Sequence, residues 1–295
     1  MRLLLLTARP ELRTNQRLTE AADALGADWT ILDATRLVAR VDGSSIGVVG
    51  SEKLQPKSTA AIARVGNWRP ASLLAILESL MAEGVSTPNP PLAIRVGRDH
   101  WLTVRTLTEA GVRAPATIAG ADPEVLAAQA VRLLGLPVVV KQRRSRMGIG
   151  AIRCTTRDHL EAVLDSLWRL GDEVVVQRWL PGGETTLRVL VVRGKAVAAA
   201  RFSAGKGEWR SNAARGGSAQ ALTPGAEETT VAEAAAEAIG LGQCGVDLIL
   251  EEEGPTVIEV NPTPGFLHLE EATGIDIARI LVADALYRED PRRQG

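Results

Sequence analysis

The stretch Gly245 to Gly265, GVDLILEEEGPTVIEVNPTPG, constrains this chain more than any other. Val246 to Leu250 and Thr256 to Val260 are rich in β-formers. They flank Glu252-Glu253-Gly254, which predicts a three-residue hairpin loop with its glycine free to take positive φ. A turn centred on Glu253 sets Asp247 directly opposite Glu259. Strand side chains alternate faces, so Glu259 and Asn261 share the face that carries Asp247. Carboxylates facing each other across a ladder repel unless a positive charge lies between them. A hard cation with oxygen ligands meets that need, and two carboxylates plus an amide suit Mg²⁺ bridging to phosphates better than an all-protein cage. The competing reading is a solvated face whose register lies one residue away.

At 295 residues the chain has room for two or three domains with substantial cores. A net charge of −1 gives no general attraction to nucleic acid or to an anionic membrane, so any anion site must be local. Cys154 and Cys244 are the only cysteines, with no CxxC spacing and no disulfide framework, which fits a reducing cytoplasm. The opening MRLLLLTARP is too short for a signal-peptide core and reads as a first strand, and no run reaches the roughly 20 apolar residues of a membrane span. His100, His159 and His268 are scattered without zinc-ligand spacing.

Strand, helix and strand patterns over Leu3–Thr7, Glu11–Leu25 and Trp29–Leu32 begin an α/β layer. Short strands at Ile46–Val49 and Ala61–Val65 and a helix from Pro70 to about Glu83 complete a small α/β domain over residues 1–90. It carries neither GxGxxG nor GxxxxGK[ST], which argues against a dinucleotide fold or a P-loop. The breaker TPNPP marks a boundary. A central unit over 91–180 and a C-terminal unit over 181–295 follow. In the central unit, a strand at Val138–Lys141 runs into the loop Gln142 to Gly150, with the cations Lys141, Arg143, Arg144 and Arg146 and the closing Gly148-Ile149-Gly150. Such a loop can cover phosphates, or it can be a basic hairpin tip. Farther on, GEWRSNAARGG places Arg210, Asn212 and Arg215 where a carboxylate or phosphoryl group could be gripped; surface ion pairs are the alternative.

Taken in order, VVVKQRRSRMGIGA, VVQRWL, WRSNAARGG, CGVDLIL, VIEVNPTPGF and TGIDIA resemble the ATP-grasp superfamily, specifically the RimK-like α-L-glutamate ligases, a family of carboxylate–amine ligases. The likeness runs from about Arg98 to Ala283, and residues 1–90 resemble the family's pre-ATP-grasp domain in pattern only. The resemblance implies an α/β (α+β) ATP-grasp fold with ATP and Mg²⁺, or Mn²⁺, as cofactors. It implies Asp247, Glu259 and Asn261 as metal ligands and Lys141 on the nucleotide phosphates, with Met147, Gly148, Ile149 and Gly150 covering them. Gln177, Arg178, Trp179 and Leu180 match the adenine linker. Arg188, Arg210, Asn212 and Arg215 match polar residues around the phosphoryl-transfer and acceptor region. His100 stands where the family usually has a lysine on the α-phosphate. Arg178 replaces an acidic residue and Thr186 an aspartate, which leaves Glu184 as a ribose partner. Ser145 and Arg146 stiffen the phosphate loop.

The reaction so implied is ATP-dependent amide formation through an acyl phosphate, with Lys141, Arg210, Asn212 and Arg215 as the catalytic group. Glutamate is the default amino acid and the acceptor is a carboxylate of a small molecule, peptide or protein tail. Neither nucleic acid nor membrane is a partner, and the family's habit of forming homo-oligomers carries over. Two other classes stay open: an ATP-grasp kinase that stops at phosphorylation, and a nucleotide-binding module without ligase chemistry.

Overall fold

The computed structural model describes residues 2–50, 55–144, 151–205, 207–209, 211 and 217–287. The first strand, β1 (Arg2–Thr7), lies between β2 (Trp29–Asp33) and β5 (Thr59–Arg64), parallel to both. Its four leucines are buried on both faces, as a parallel sheet requires. Leu3 and Leu5 pack with Leu18, Ala21 and Ala22 of α1 (Arg13–Ala24). Leu4 and Leu6 pack with Leu73, Leu77 and Leu80 of α2 (Pro70–Ala82). The strands β3 (Val38–Val41) and β4 (Ile46–Val49) pair with each other as a separate antiparallel ribbon, and β3 is an element the sequence pattern did not predict.

After the breaker the chain does not loop, because Pro91 opens a helix, α3 (Pro91–Gly97). Proline at the first helical position loses no hydrogen bond there, so the same residue both ends one segment and starts the next. A second helix, α4 (His100–Glu109), follows. The central sheet has the order β6 (Thr117–Ile118), β9 (Val174–Arg178), β7 (Val138–Gln142), β8 (Ala151–Cys154), all antiparallel. Leu126, Ala127 and Ala130 of α5 (Pro123–Leu134) meet Leu160 and Leu164 of α6 (Arg157–Arg169) over Val138, Val140 and Val176.

The C-terminal sheet has the order β12 (Ser218–Ala221), β11 (Lys195–Ser203), β10 (Thr185–Val192), β13 (Gln243–Glu251), β14 (Gly254–Asn261). The β10–β11 hairpin turns through Arg193 and Gly194 with φ of 52° and 70°, the double positive φ that matches strand twist. Small side chains on α7 (Ala226–Ile239), Ala232, Ala235 and Ala236, are fully buried against this sheet. The chain closes with α8 (Leu267–Thr273), which the pattern missed, and α9 (Ile277–Tyr287), which packs with Leu3 and Leu5 of β1 in one core. The N-terminal layer and the C-terminal sheet are thus joined by apolar burial. Buried Asn89 adds polar stitching: its Nδ2 donates to the carbonyls of Gln243 (2.7 Å) and Pro262 (3.0 Å), and its Oδ1 accepts from Gln243 N–H at 2.9 Å.

The hairpin between β13 and β14 differs from the expected one in an informative way. Glu251 pairs with Gly254, so the loop has two residues, Glu252 and Glu253, and Gly254 has φ of 115°. Continued regularly, that register would put Asp247 opposite Ile258. A β-bulge intervenes: Leu248 pairs with Val257 but Asp247 pairs with Glu259, so Ile258 drops out of the ladder. Asp247 does face Glu259, by a shorter turn and a bulge instead of a longer turn.

Candidate active site

The bulge sorts the side chains of β14. Val257 and Val260, three apart, both face the core beside Leu248 and Val246. Glu259 and Asn261 lie on the opposite face, half-buried, with Asp247. Gly245 stands opposite Asn261. A Cβ there would lie 3.2 Å from Cβ of Pro264 and 3.8 Å from Cδ of Arg188, so the backbone and the loop after Asn261 are in close approach.

Across the other ladder Arg188 of β10 pairs with Asp247. Its Nε donates to Oδ1 at 2.7 Å and its Nη2 to Oδ2 at 2.6 Å, a bidentate fork. The guanidinium lies 5.2 Å from the centre of the Phe202 ring. Burial alone would lower its pKa, but charge and hydrogen bonding from Asp247, with Glu259 adding charge, more than offset this and fix it as a cation.

Lys141, near the end of β7, brings a second cation. Burial lowers its pKa, while the charges of Glu259 and Asp247 act in the opposite sense, which places all three in one electrostatic neighbourhood. Its Nζ donates to Gln177 Oε1 at 2.7 Å, and Gln177 Nε2 donates to Thr117 Oγ1 at 2.9 Å. Sequence reading put Gln177 in the adenine linker. Its buried side chain also orients Lys141 from the neighbouring strand, where Gln177 pairs with Val139, a partnership set by strand register.

The facing carboxylates therefore have positive charge beside them within the chain. Repulsion alone does not demand an ion. What fits a hard divalent cation is the donor set, two carboxylates and an amide on one face, all oxygen. Asn261 Oδ1 already accepts from Thr263 N–H at 2.9 Å, which fixes the orientation of the amide. Among the described residues no group of three or more His, Cys, Asp or Glu is gathered for a metal.

The linker residues have mixed positions. Arg178 is exposed and donates its N–H to Ala116 O at 2.9 Å, and the N–H of Trp179 reaches Pro137 O at 3.4 Å, so those two donors are used within the fold. Leu180 is buried. The Trp179 ring has Arg153 over it at 4.2 Å and Trp209 edge-on at 5.2 Å, a wall the motif reading did not include. Glu184 is exposed, and Thr186 Oγ lies 2.7 Å from Ser211 Oγ. His100 is the first residue of α4, and its N–H donates to Arg143 O at 2.9 Å.

Two of the basic-loop cations are already committed. Arg143 Nε lies 2.8 Å from a carboxylate oxygen of buried Asp99, and Asp99 also caps α4 by accepting from the N–H groups of Trp101 and Leu102. Arg144 lies 3.7 Å from both Asp99 and Glu173. Met147, Gly148, Ile149, Gly150, Arg210, Asn212 and Arg215 lie outside the described residues. Burial raises the thiol pKa of Cys154 to about 11 and of Cys244 to about 12, so neither is poised as a nucleophile. No helix among the described residues is long and apolar enough to cross a membrane.

Comparison with known proteins bears on the family and the fold. The model of the RimK-like ATP-grasp domain matches residues 97–285, and that of the RimK PreATP-grasp domain matches residues 1–94. A protein of Thioalkalivibrio sulfidiphilus named "Probable alpha-L-glutamate ligase" is 33% identical over 294 residues, spanning 99% of this chain and 98% of its own. The crystal structure of a RimK domain ATP-grasp protein from Sphaerobacter thermophilus superposes with a TM-score of 0.76 at 22% identity, covering 97% of this chain and 100% of that one. The ATP-grasp ligase PsnB, solved with a variant of its minimal precursor, Mg and ADP, superposes with a TM-score of 0.69 at 21% identity, covering 96% and 97%.

Proposed function

The chain belongs to the RimK-like ATP-grasp family of ATP-dependent ligases, and on that premise we propose that it joins the amine of an amino acid to a carboxylate through an acyl phosphate. The observation that carries the proposal is the shared face of Asp247, Glu259 and Asn261 with Lys141 in the field of both carboxylates. Glutamate is the first amino acid to try, because curated relatives bear the name of α-L-glutamate ligase. A peptide or protein tail is the first acceptor to try, because PsnB was also solved with a precursor peptide.

A carboxylate and an amine do not condense at neutral pH because oxide is a poor leaving group. Phosphorylation replaces it with phosphate. In this reading Asp247, Glu259 and Asn261 would hold Mg²⁺, which would supply neutralisation of the phosphate charge of ATP. Lys141, aimed by Gln177, meets the phosphate oxygens. Arg188, forked onto both oxygens of Asp247, fixes the plane of its carboxylate. The acceptor oxygen attacks the γ-phosphorus and ADP leaves, and the amine then attacks the acyl carbon, forming the C–N bond as phosphate departs. These are tasks of positioning and electrostatics, which need no Ser or Cys nucleophile. Arg210, Asn212 and Arg215 are assigned to the transferring group and acceptor by motif alone. Trp179 and Leu180 would flank the base, and His100, at the start of α4, would approach the α-phosphate.

The test is ADP release with Mg·ATP over a panel of amino acids crossed with carboxylate acceptors, with the Asp247→Ala, Glu259→Ala double variant as control. ADP that requires both co-substrates and disappears in the control is the expected result. ADP formed without any amine would replace the ligase with a kinase. Failure of a non-hydrolysable ATP analogue to bind would overturn the nucleotide site itself.

A further inference from the structure

Half-buried Arg64 and buried Arg98 are cations to which the reaction above gives no task. Arg64 is the last residue of β5, paired with Thr7 at the carboxyl end of the parallel sheet. Its Nη1 donates to Pro264 O at 3.1 Å, and its guanidinium lies 5.9 Å from the centre of the buried Phe266 ring. Arg98, 8% exposed, donates from Nη1 to Val65 O at 2.8 Å, one residue beyond Arg64, and from Nη2 to Asn67 Oδ1 at 3.5 Å. Burial lowers both guanidinium pKa values to about 10. Among the described residues neither makes an ion pair; the nearby carboxylate of Asp99 is engaged by Arg143. Among the described residues their hydrogen-bond partners are carbonyls and one amide, which satisfy N–H groups but do not cancel a charge. Buried charges are ordinarily paired, so buried Arg98 and half-buried Arg64, anchored one residue apart on the same strand end with no carboxylate on either among the described residues, mark a place where a ligand can supply one.

The surroundings fit an entry for such a ligand. In open parallel sheets ligands bind beyond the carboxyl ends of the strands, where Arg64 sits. The loop that follows β5 is exposed at Gly66, Asn67 and Trp68, and Arg69 adopts a left-handed backbone with φ of 41°, a conformation that costs a non-glycine residue energy. Arg64 itself is only half-buried. Through Pro264, whose Cβ lies against the backbone of Gly245 beside Arg188, this corner adjoins the face of Asp247 and Asn261.

We propose that Arg64 and Arg98 form a subsite on the N-terminal layer that holds the non-reacting carboxylate of the incoming amino acid. The subsite rests on the ligase reading and deepens it. A carboxylate forked by guanidinium has its oxygens occupied and its charge neutralised, which makes it a poor attacking group on phosphorus. Such a site suits a spectator carboxylate, and amide formation through the amine leaves one on the amino acid. The α- and side-chain carboxylates of glutamate share this chemistry, and amides of each distinguish them.

The experiment is calorimetry on the full chain loaded with Mg²⁺ and a non-hydrolysable ATP analogue, titrated with L-glutamate, L-glutamine and isoglutamine. Wild type is expected to bind glutamate. Arg64→Gln, which can keep the bond to Pro264 O, should weaken that binding at least tenfold with nucleotide affinity unchanged, and Arg64→Lys should recover part of it. Weakening with isoglutamine alone assigns the α-carboxylate, and with glutamine alone the side-chain carboxylate; either supports the subsite. Unchanged glutamate affinity in Arg64→Gln, equal affinity for all three amino acids, or no amino-acid binding to nucleotide-loaded wild type overturns it. Absence of nucleotide binding would instead sink the ligase reading, and glutamate titration of the unloaded chain would still judge the subsite by the same criteria.

Discussion

Asp247 faces Glu259 across the β13–β14 ladder only because Ile258 is bulged out of it. From the two-residue turn at Glu252 and Glu253, a regular ladder would bring Ile258 opposite Asp247. The bulge reverses the facing of every later residue, because side chains alternate with a period of two. Val260 thereby reaches the core while Glu259 and Asn261 reach the site.

The ion pair between Arg188 and Asp247 predicts a structural as well as a functional loss. Arg188→Gln leaves a largely buried carboxylate without its fork, and breaking such a pair costs about 3 kcal/mol. Thermal unfolding should show a lowered midpoint, and Mg²⁺-dependent binding of an ATP analogue should weaken with it. An unchanged midpoint would mean that the pair is not held in solution.

Lys141 predicts an alkaline limit to activity. Burial sets its pKa below the ordinary 10.5, against the pull of Glu259 and Asp247. Between the folded and unfolded values the unfolded chain holds more protons, so this residue's contribution to stability rises with pH across that window. Phosphate binding needs the cation, so kcat/KM for ATP should fall as pH rises through the same window. The Lys141→Arg variant should shift that limb to higher pH; a limb at the same place in both proteins would clear Lys141 of responsibility.

Gln177→Leu removes both the acceptor of the Lys141 ammonium and the donor to Thr117 at a buried position. Leaving such a group unsatisfied costs about 1–3 kcal/mol. The variant should have a raised KM for ATP, read in a steady-state assay, and a lowered denaturation midpoint. Gln177→Glu, which keeps an acceptor for Lys141, should hold the ammonium and move the alkaline limb upward.

Gly245→Val places side-chain carbon against Pro264 and Arg188, where even Cβ would lie 3.2 Å from Pro264 Cβ. Overpacking of this kind costs about 1–3 kcal/mol. Circular dichroism should report a folded protein, while Mg²⁺-dependent nucleotide affinity falls because the strand opposite Asn261 is displaced. Retained affinity would show that the loop after Asn261 can move aside.

Much of the architecture could be read from local pattern, since each signal depends on near neighbours. Proline at Pro70 and Pro123 and the apolar spacing after each placed α2 and α5, and the alternation flanking Arg193-Gly194 placed the β10–β11 hairpin. Short elements escaped for the same reason. The strands β3 and β12 are mostly exposed and offer no apolar face to mark them, and the seven-residue helices α3 and α8 are too brief to show a period.

The candidate site divides along the same line. Sequence by itself determined which residue types stand on the hairpin strands, that Lys141 ends a buried strand before a basic loop, and that the two cysteines have no CxxC spacing. Only tertiary structure decided that Ile258 leaves the ladder, that Arg188 and not solvent neutralises Asp247, that Gln177 aims Lys141, and that Asp99 takes Arg143 out of the basic cluster. These partners lie 59 residues apart for Arg188 and Asp247, 36 for Lys141 and Gln177, and 44 for Asp99 and Arg143. Periodicity carries information over a turn or two of chain. Charge pairing across strands depends on register and on which sheet edge each strand occupies, and those are settled only when apolar faces from the whole chain are buried together.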